Sequence, residues 1–112
     1  MSSLPPPLVA LLERYKRLLE DRFGSRLQRL LVFGSYARGQ AVLDSDLDVC
    51  VVIDDLTHDE RGEAIDLAWA ACAGDLEAPT LSPLVWTRAE YQDRLSRERR
   101  IARDIEREGL PV

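Results

Sequence analysis

The chain has 112 residues, 46% of them hydrophobic, and a formal net charge of −5. That length suits one domain with a single core, and that apolar content excludes a disordered or low-complexity chain. The acidic balance argues against a general nucleic-acid binder, and with Lys16 the only lysine among 15 basic residues, lysine-centred chemistry has almost no material.

Residues 1–7 read as a flexible lead, with Pro5-Pro6-Pro7 opposing any earlier helix start, and residues 8–112 read as one domain. From Leu8 on, apolar residues recur at Leu11, Leu12, Tyr15, Leu18 and Leu19, the spacing of an amphipathic helix that Gly24 stops. Residues 27–33 are the first predicted strand, and a short helix is expected from about Ser35 to Gly39. Residues 46–53 are the second strand, with Asp46, Asp48 and Cys50 on one face and Leu47, Val49, Val51 and Ile53 on the other. Thr57-His58-Asp59-Glu60 has the form of a capping box, and the helix it opens carries Ile65, Ala68, Trp69 and Cys72 on one stripe before closing at Gly74.

Residues 79–86 read as a third strand, placed at an edge or a bulge by Pro79 and Pro83. Thr87-Arg88-Ala89-Glu90 is a second capping box, opening one long charged helix that runs to residue 108. Tyr91, Leu95, Ala102 and Ile105 form its thin apolar stripe, and Gly109 with Pro111 ends it. Alternating charge marks that helix as a solvated face, with an interface as the other reading. The order describes a small α/β (α+β) domain with one sheet.

Cys50 and Cys72 lie in apolar runs and read as buried thiols, without the number needed for a disulfide framework. No signal-type segment opens the chain, and no apolar run approaches the roughly 20 residues that span a bilayer. A cytoplasmic protein, with no membrane partner, is expected. Trp69 and Trp86 fit core positions, and His58, the only histidine, reads as a surface residue.

Two short stretches carry chemistry. Gly34-Ser35 follows the first strand: glycine lets a backbone approach a phosphate closely, a helix start there would favour an anion, and Arg38 stands one turn on. Alone, the pair is also consistent with a plain strand-to-helix turn capped by Ser35. Asp46 and Asp48 share one face of the next strand, and two carboxylates so close repel unless a cation such as Mg²⁺ lies between them. Alone, Asp44-Ser45-Asp46 is equally a polar turn. A calcium loop is excluded, because Val49 holds the place of the required glycine and lies in a strand.

Together the stretches are far more specific. Gly34-Ser35, ten intervening residues and then Asp46-Leu47-Asp48 resemble the signature of the polymerase β-like nucleotidyltransferase superfamily. Phe33-Gly34-Ser35-Tyr36-Ala37-Arg38-Gly39 with Ser45-Asp46-Leu47-Asp48 is similar to its minimal prokaryotic branch, MNT, including MntA-like antitoxins. The resemblance continues through Leu81-Ser82-Pro83-Leu84-Val85 and Ile105-Glu106-Arg107-Glu108-Gly109, so it covers nearly the whole chain.

The resemblance implies a small mixed sheet of three or four strands with helices mainly on one face. It implies that Gly34 and Ser35 bind the phosphates of ATP or another nucleoside triphosphate, and that the catalytic carboxylates Asp46 and Asp48 hold two Mg²⁺ ions. Arg38 is either a phosphate contact or a salt-bridge partner. The family's third carboxylate, from a later strand, has no counterpart in that strand: Ser82 stands near the expected place, Glu77 lies just before the strand, and completion by a partner is the third possibility. The implied activity is transfer of AMP from ATP to a hydroxyl acceptor on a helical HEPN-type partner protein, in a toxin–antitoxin pair. The alternative is a non-catalytic nucleotide-binding subunit that neutralises its partner by contact. A stand-alone enzyme acting on an antibiotic or tRNA ranks third; the oligomeric state stays open.

Overall fold

The structure, a computed structural model, describes residues 4–41, 45–73, 79–97 and 99–112. Helix α1 (Pro6–Phe23) leads through a short 3₁₀ turn (Gly24–Arg26) into strand β1 (Leu27–Val32). Strand β2 (Leu47–Ile53), helix α2 (His58–Cys72) and strand β3 (Leu81–Trp86) follow. Helices α3 (Arg88–Ser96) and α4 (Arg100–Glu108) and the two-residue strand β4 (Leu110–Pro111) end the chain.

The sheet runs β3-β2-β1-β4, with β2 and β3 parallel and the other pairs antiparallel. β2 is central, and its alternation sorts the two faces as expected. Leu47, Val49, Val51 and Ile53 meet α1 and α2 in the larger core; Cys50 and Val52 meet α3 and α4 in the smaller one. β3 is an edge strand, where the nitrogen of Pro83 needs no ladder partner.

Helix α1 begins at Pro6, two residues before the expected Leu8, with Pro5 as N-cap. Prolines are compatible with the first helical turn, whose N–H groups lack intrahelical acceptors anyway. Of the lead expected over residues 1–7, residues 1–3 lie outside the described residues, while Leu4 is buried in the larger core.

On α2 the capping box forms, with Thr57 accepting from Glu60 N and Glu60 accepting from Thr57 N. The buried stripe, however, is Ala64, Ala68 and Ala71. Of the expected stripe Ala68 is buried and Cys72 packs partly buried against the core, but Ile65 is 37% exposed and Trp69 66% exposed, so the buried face is turned by about one residue and Trp69 is no core residue. The cause lies in α1: the buried Tyr15 hydroxyl donates to Ala64 O at 2.8 Å, an approach that alanines permit and a tryptophan would block. The expected stop at Gly74 lies outside the described residues.

The predicted charged helix is in fact two. Arg97 N bonds Asp93 O, Arg99 N bonds Arg94 O, and extended backbone at Arg99 starts a new helix. The break lets both halves reach the sheet: Tyr91 from α3 and Ala102 and Ile105 from α4 are buried together. Tyr91 hydroxyl donates to Glu106, which also accepts from Arg29 of β1 at 3.1 Å. Strand β4, unforeseen in the sequence, pairs with Leu31 and Val32, and Lys16 Nζ holds Val112 O at 3.0 Å. No helix among the described residues is long and apolar enough to cross a membrane.

Candidate nucleotide and metal site

β1 ends beside β2, and Phe33 N extends the ladder by bonding Asp48 O at 3.0 Å. The chain then reverses at Gly34, where φ is +75°. A Cβ at this position would stand 2.5 Å from Asp48 Oδ2, so the carboxylate occupies the space that a side chain would take. Glycine is required here twice, for its backbone angle and for this close approach.

Residues 34–39 form a compact turn, not the expected short helix. Arg38 N bonds Gly34 O at 3.1 Å, Gln40 N bonds Ser35 O at 2.8 Å, and Gly39 ends the turn at φ +70°. Tyr36 and Ala37 pack against the larger core and anchor it. A turn that is not a helix carries no macrodipole, so the groups it could offer an anion are the backbone at Gly34, the Ser35 hydroxyl and Arg38.

Asp46 is exposed, just ahead of β2, and Asp48 is half-buried within it. Burial and, second, the charge of Asp46 push the Asp48 carboxyl above its ordinary range, while Arg38 and a hydrogen bond from Ser82 pull it back. The exposed Arg38 guanidinium contacts Gln40 Oε1 at 3.2 Å and Glu108 at 3.5 Å. That ion pair has little worth at the surface, which leaves the guanidinium available to a stronger anion. Gln40 and Glu108 are additions to the sequence-derived set, and nothing in the sequence links Glu108 to a residue 70 positions away.

Ser82 lies directly opposite Asp48 in the β2–β3 register. Glu77 and Asp44 lie outside the described residues. Among the described residues no group of three or more His, Cys, Asp and Glu could hold a metal ion. The other reactive side chains stand aside: His58 is exposed, and burial pushes the Cys50 thiol up to about 12.

Residues 12–109 match the family model of the nucleotidyltransferase domain. The chain belongs to that family. This nucleotidyltransferase domain is 32% identical over 57 residues to a candidate protein adenylyltransferase of Methanocaldococcus jannaschii, covering 51% of this chain and 55% of that one. It is 43% identical over 47 residues to the protein adenylyltransferase MntA of Thermococcus cleftensis, covering 42% and 46%. The domain thus spans about half the length of the curated relatives it matches. One chain of a crystal structure described as the toxin–antitoxin with AMP-PNP superposes with a TM-score of 0.56 at 21% identity, over 88% of this chain and 70% of that one. That likeness shows a shared fold.

Proposed function

We propose that this domain is a Mg²⁺-dependent minimal nucleotidyltransferase that moves AMP from ATP to a hydroxyl on a partner protein. The observation that carries the proposal is the seating of the Gly34 turn on the Asp48 carboxylate, which brings the glycine-serine turn directly against the acidic pair. The adenylyltransferase names of its relatives support AMP as the transferred group. The toxin–antitoxin description of its structural neighbour is in keeping with a partner protein; that this chain is a cytoplasmic antitoxin and that the partner is a helical HEPN-type protein belong to the proposal and rest on the sequence resemblance.

In this mechanism Gly34 admits the triphosphate to the backbone, Ser35 donates its hydroxyl to a phosphate oxygen, and Arg38 exchanges Glu108 for the phosphates. Asp46 and Asp48 fit a hard divalent cation: their mutual repulsion, felt at the partly desolvated Asp48, is relieved by positive charge between them. Mg²⁺ bound there would supply charge neutralisation at the phosphates and acidify an acceptor hydroxyl. The acceptor hydroxyl releases its proton to solvent as its oxygen bonds to the α-phosphorus, the bond from that phosphorus to the α–β bridging oxygen breaks, and pyrophosphate departs with the bridging oxygen.

Ser82 opposite Asp48 favours a second possibility, a subunit that binds nucleotide and neutralises its partner by contact without turnover. One experiment separates them: the purified chain is incubated with Mg²⁺, α-labelled ATP and its co-purifying partner. Label on the partner, abolished by Asp46→Asn with Asp48→Asn, is the expected result. Suppression of the partner with no label transferred by the wild type would refute the enzymatic proposal.

A further inference from the structure

In a parallel pair, each β2 residue has one lateral neighbour on β3 whose side chain leaves the same face. For Asp48 that neighbour is Ser82, which brings a neutral hydroxyl, not an acid, beside the carboxylate. Two residues on, facing the same way, Leu84 opposes Cys50. Among the described residues no third acid, histidine or cysteine joins Asp46 and Asp48.

Coordination chemistry gives that substitution a consequence. A small hard dication is held by one or two carboxylates together with substrate phosphates. Asp46, Asp48 and a nucleotide meet that demand for one ion. A second ion a few ångströms away, on the acceptor side, would share the same carboxylates without added negative charge, against the repulsion of the first. A neutral hydroxyl beside Asp48 does not offset that repulsion.

Building on the nucleotide and metal site proposed above, we infer that Ser82 restricts this chain to a single tightly held divalent cation. The acceptor-side position is left weak, and an acid at residue 82 would restore it. Mn²⁺ titration followed by electron paramagnetic resonance, on the 112-residue chain saturated with a non-hydrolysable ATP analogue, counts the ions directly. One tight ion is expected in the wild type, with any second bound at least about tenfold more weakly. Ser82→Ala keeps one, and Ser82→Asp gains a second of comparable affinity.

Two equally tight ions in the wild type overturn the inference, and loss of one of them in Glu77→Gln would assign the third carboxylate to Glu77. It is equally overturned by loss of the tight ion in Ser82→Ala, or by a folded Ser82→Asp that still binds one. The wild-type count decides even if Ser82→Asp does not fold. Binding of the analogue with no tight ion removes the metal site itself, and failure to bind the analogue removes the nucleotide site; calorimetry with the analogue alone tells these apart.

Discussion

Replacing Gly34 with alanine separates two demands on that position. The first is backbone: at φ +75° an alanine is strained by about 1–2 kcal/mol. The second is spatial: a Cβ 2.5 Å from Asp48 Oδ2 must drive the carboxylate aside. Leaving its rotamer costs about 1 kcal/mol more. Gly39→Ala is the internal control, because it has φ +70° with nothing within 4 Å of its added Cβ. Urea denaturation should therefore show Gly34→Ala destabilised by about 2–3 kcal/mol and Gly39→Ala by about 1–2 kcal/mol. The functional contrast should be larger. Mn²⁺ binding in the presence of nucleotide should be lost in Gly34→Ala, whose Asp48 is displaced, and kept in Gly39→Ala. Equal destabilisation together with equal ion binding would show that the Gly34–Asp48 contact has no part in the site.

Trp69→Ala should change unfolding free energy by no more than about 0.5 kcal/mol, whereas Trp86→Ala, buried beside Tyr91, should cost about 3–5 kcal/mol in the same denaturation assay. Thr87→Ala removes the side-chain acceptor for Glu90 N and should lower stability by about 1 kcal/mol, read by thermal unfolding. Glu60 is held down from 4.5 to about 2, first by its hydrogen bond from Arg26 and then by Thr57 N. A depressed folded-state carboxyl stabilises fully above its unfolded value and loses that contribution as pH falls toward about 2. Glu60→Gln should flatten the acid limb of stability between those values, and an unchanged limb would refute the assignment.

What the sequence made legible was local. A period of two along β2 sorts Asp48 and Cys50 from Val49 and Val51, and each capping box needs only four consecutive residues, so these stood without tertiary information. Where two local solutions compete, distant contacts decide. On α2 the Ala64–Ala68–Ala71 stripe and the expected Ile65–Ala68–Trp69–Cys72 stripe share Ala68 and differ by about one residue of rotation, and the Tyr15 hydroxyl on Ala64 O selects the first. The break between α3 and α4 answers to Tyr91 and Arg29 converging on Glu106, and β4 exists through pairing with β1, most of the chain away. The same logic governs the candidate site. Gly34, Ser35, Asp46 and Asp48 could be named from two short motifs, but strand composition alone left Ser82 and Glu77 as rival occupants of the third position. Parallel pairing sets β2 against β3 one residue to one, and that register makes Ser82 the neighbour of Asp48. Register therefore turns a missing acid in the sequence into a hydroxyl at a defined place, whose effect is measurable as a number of bound ions.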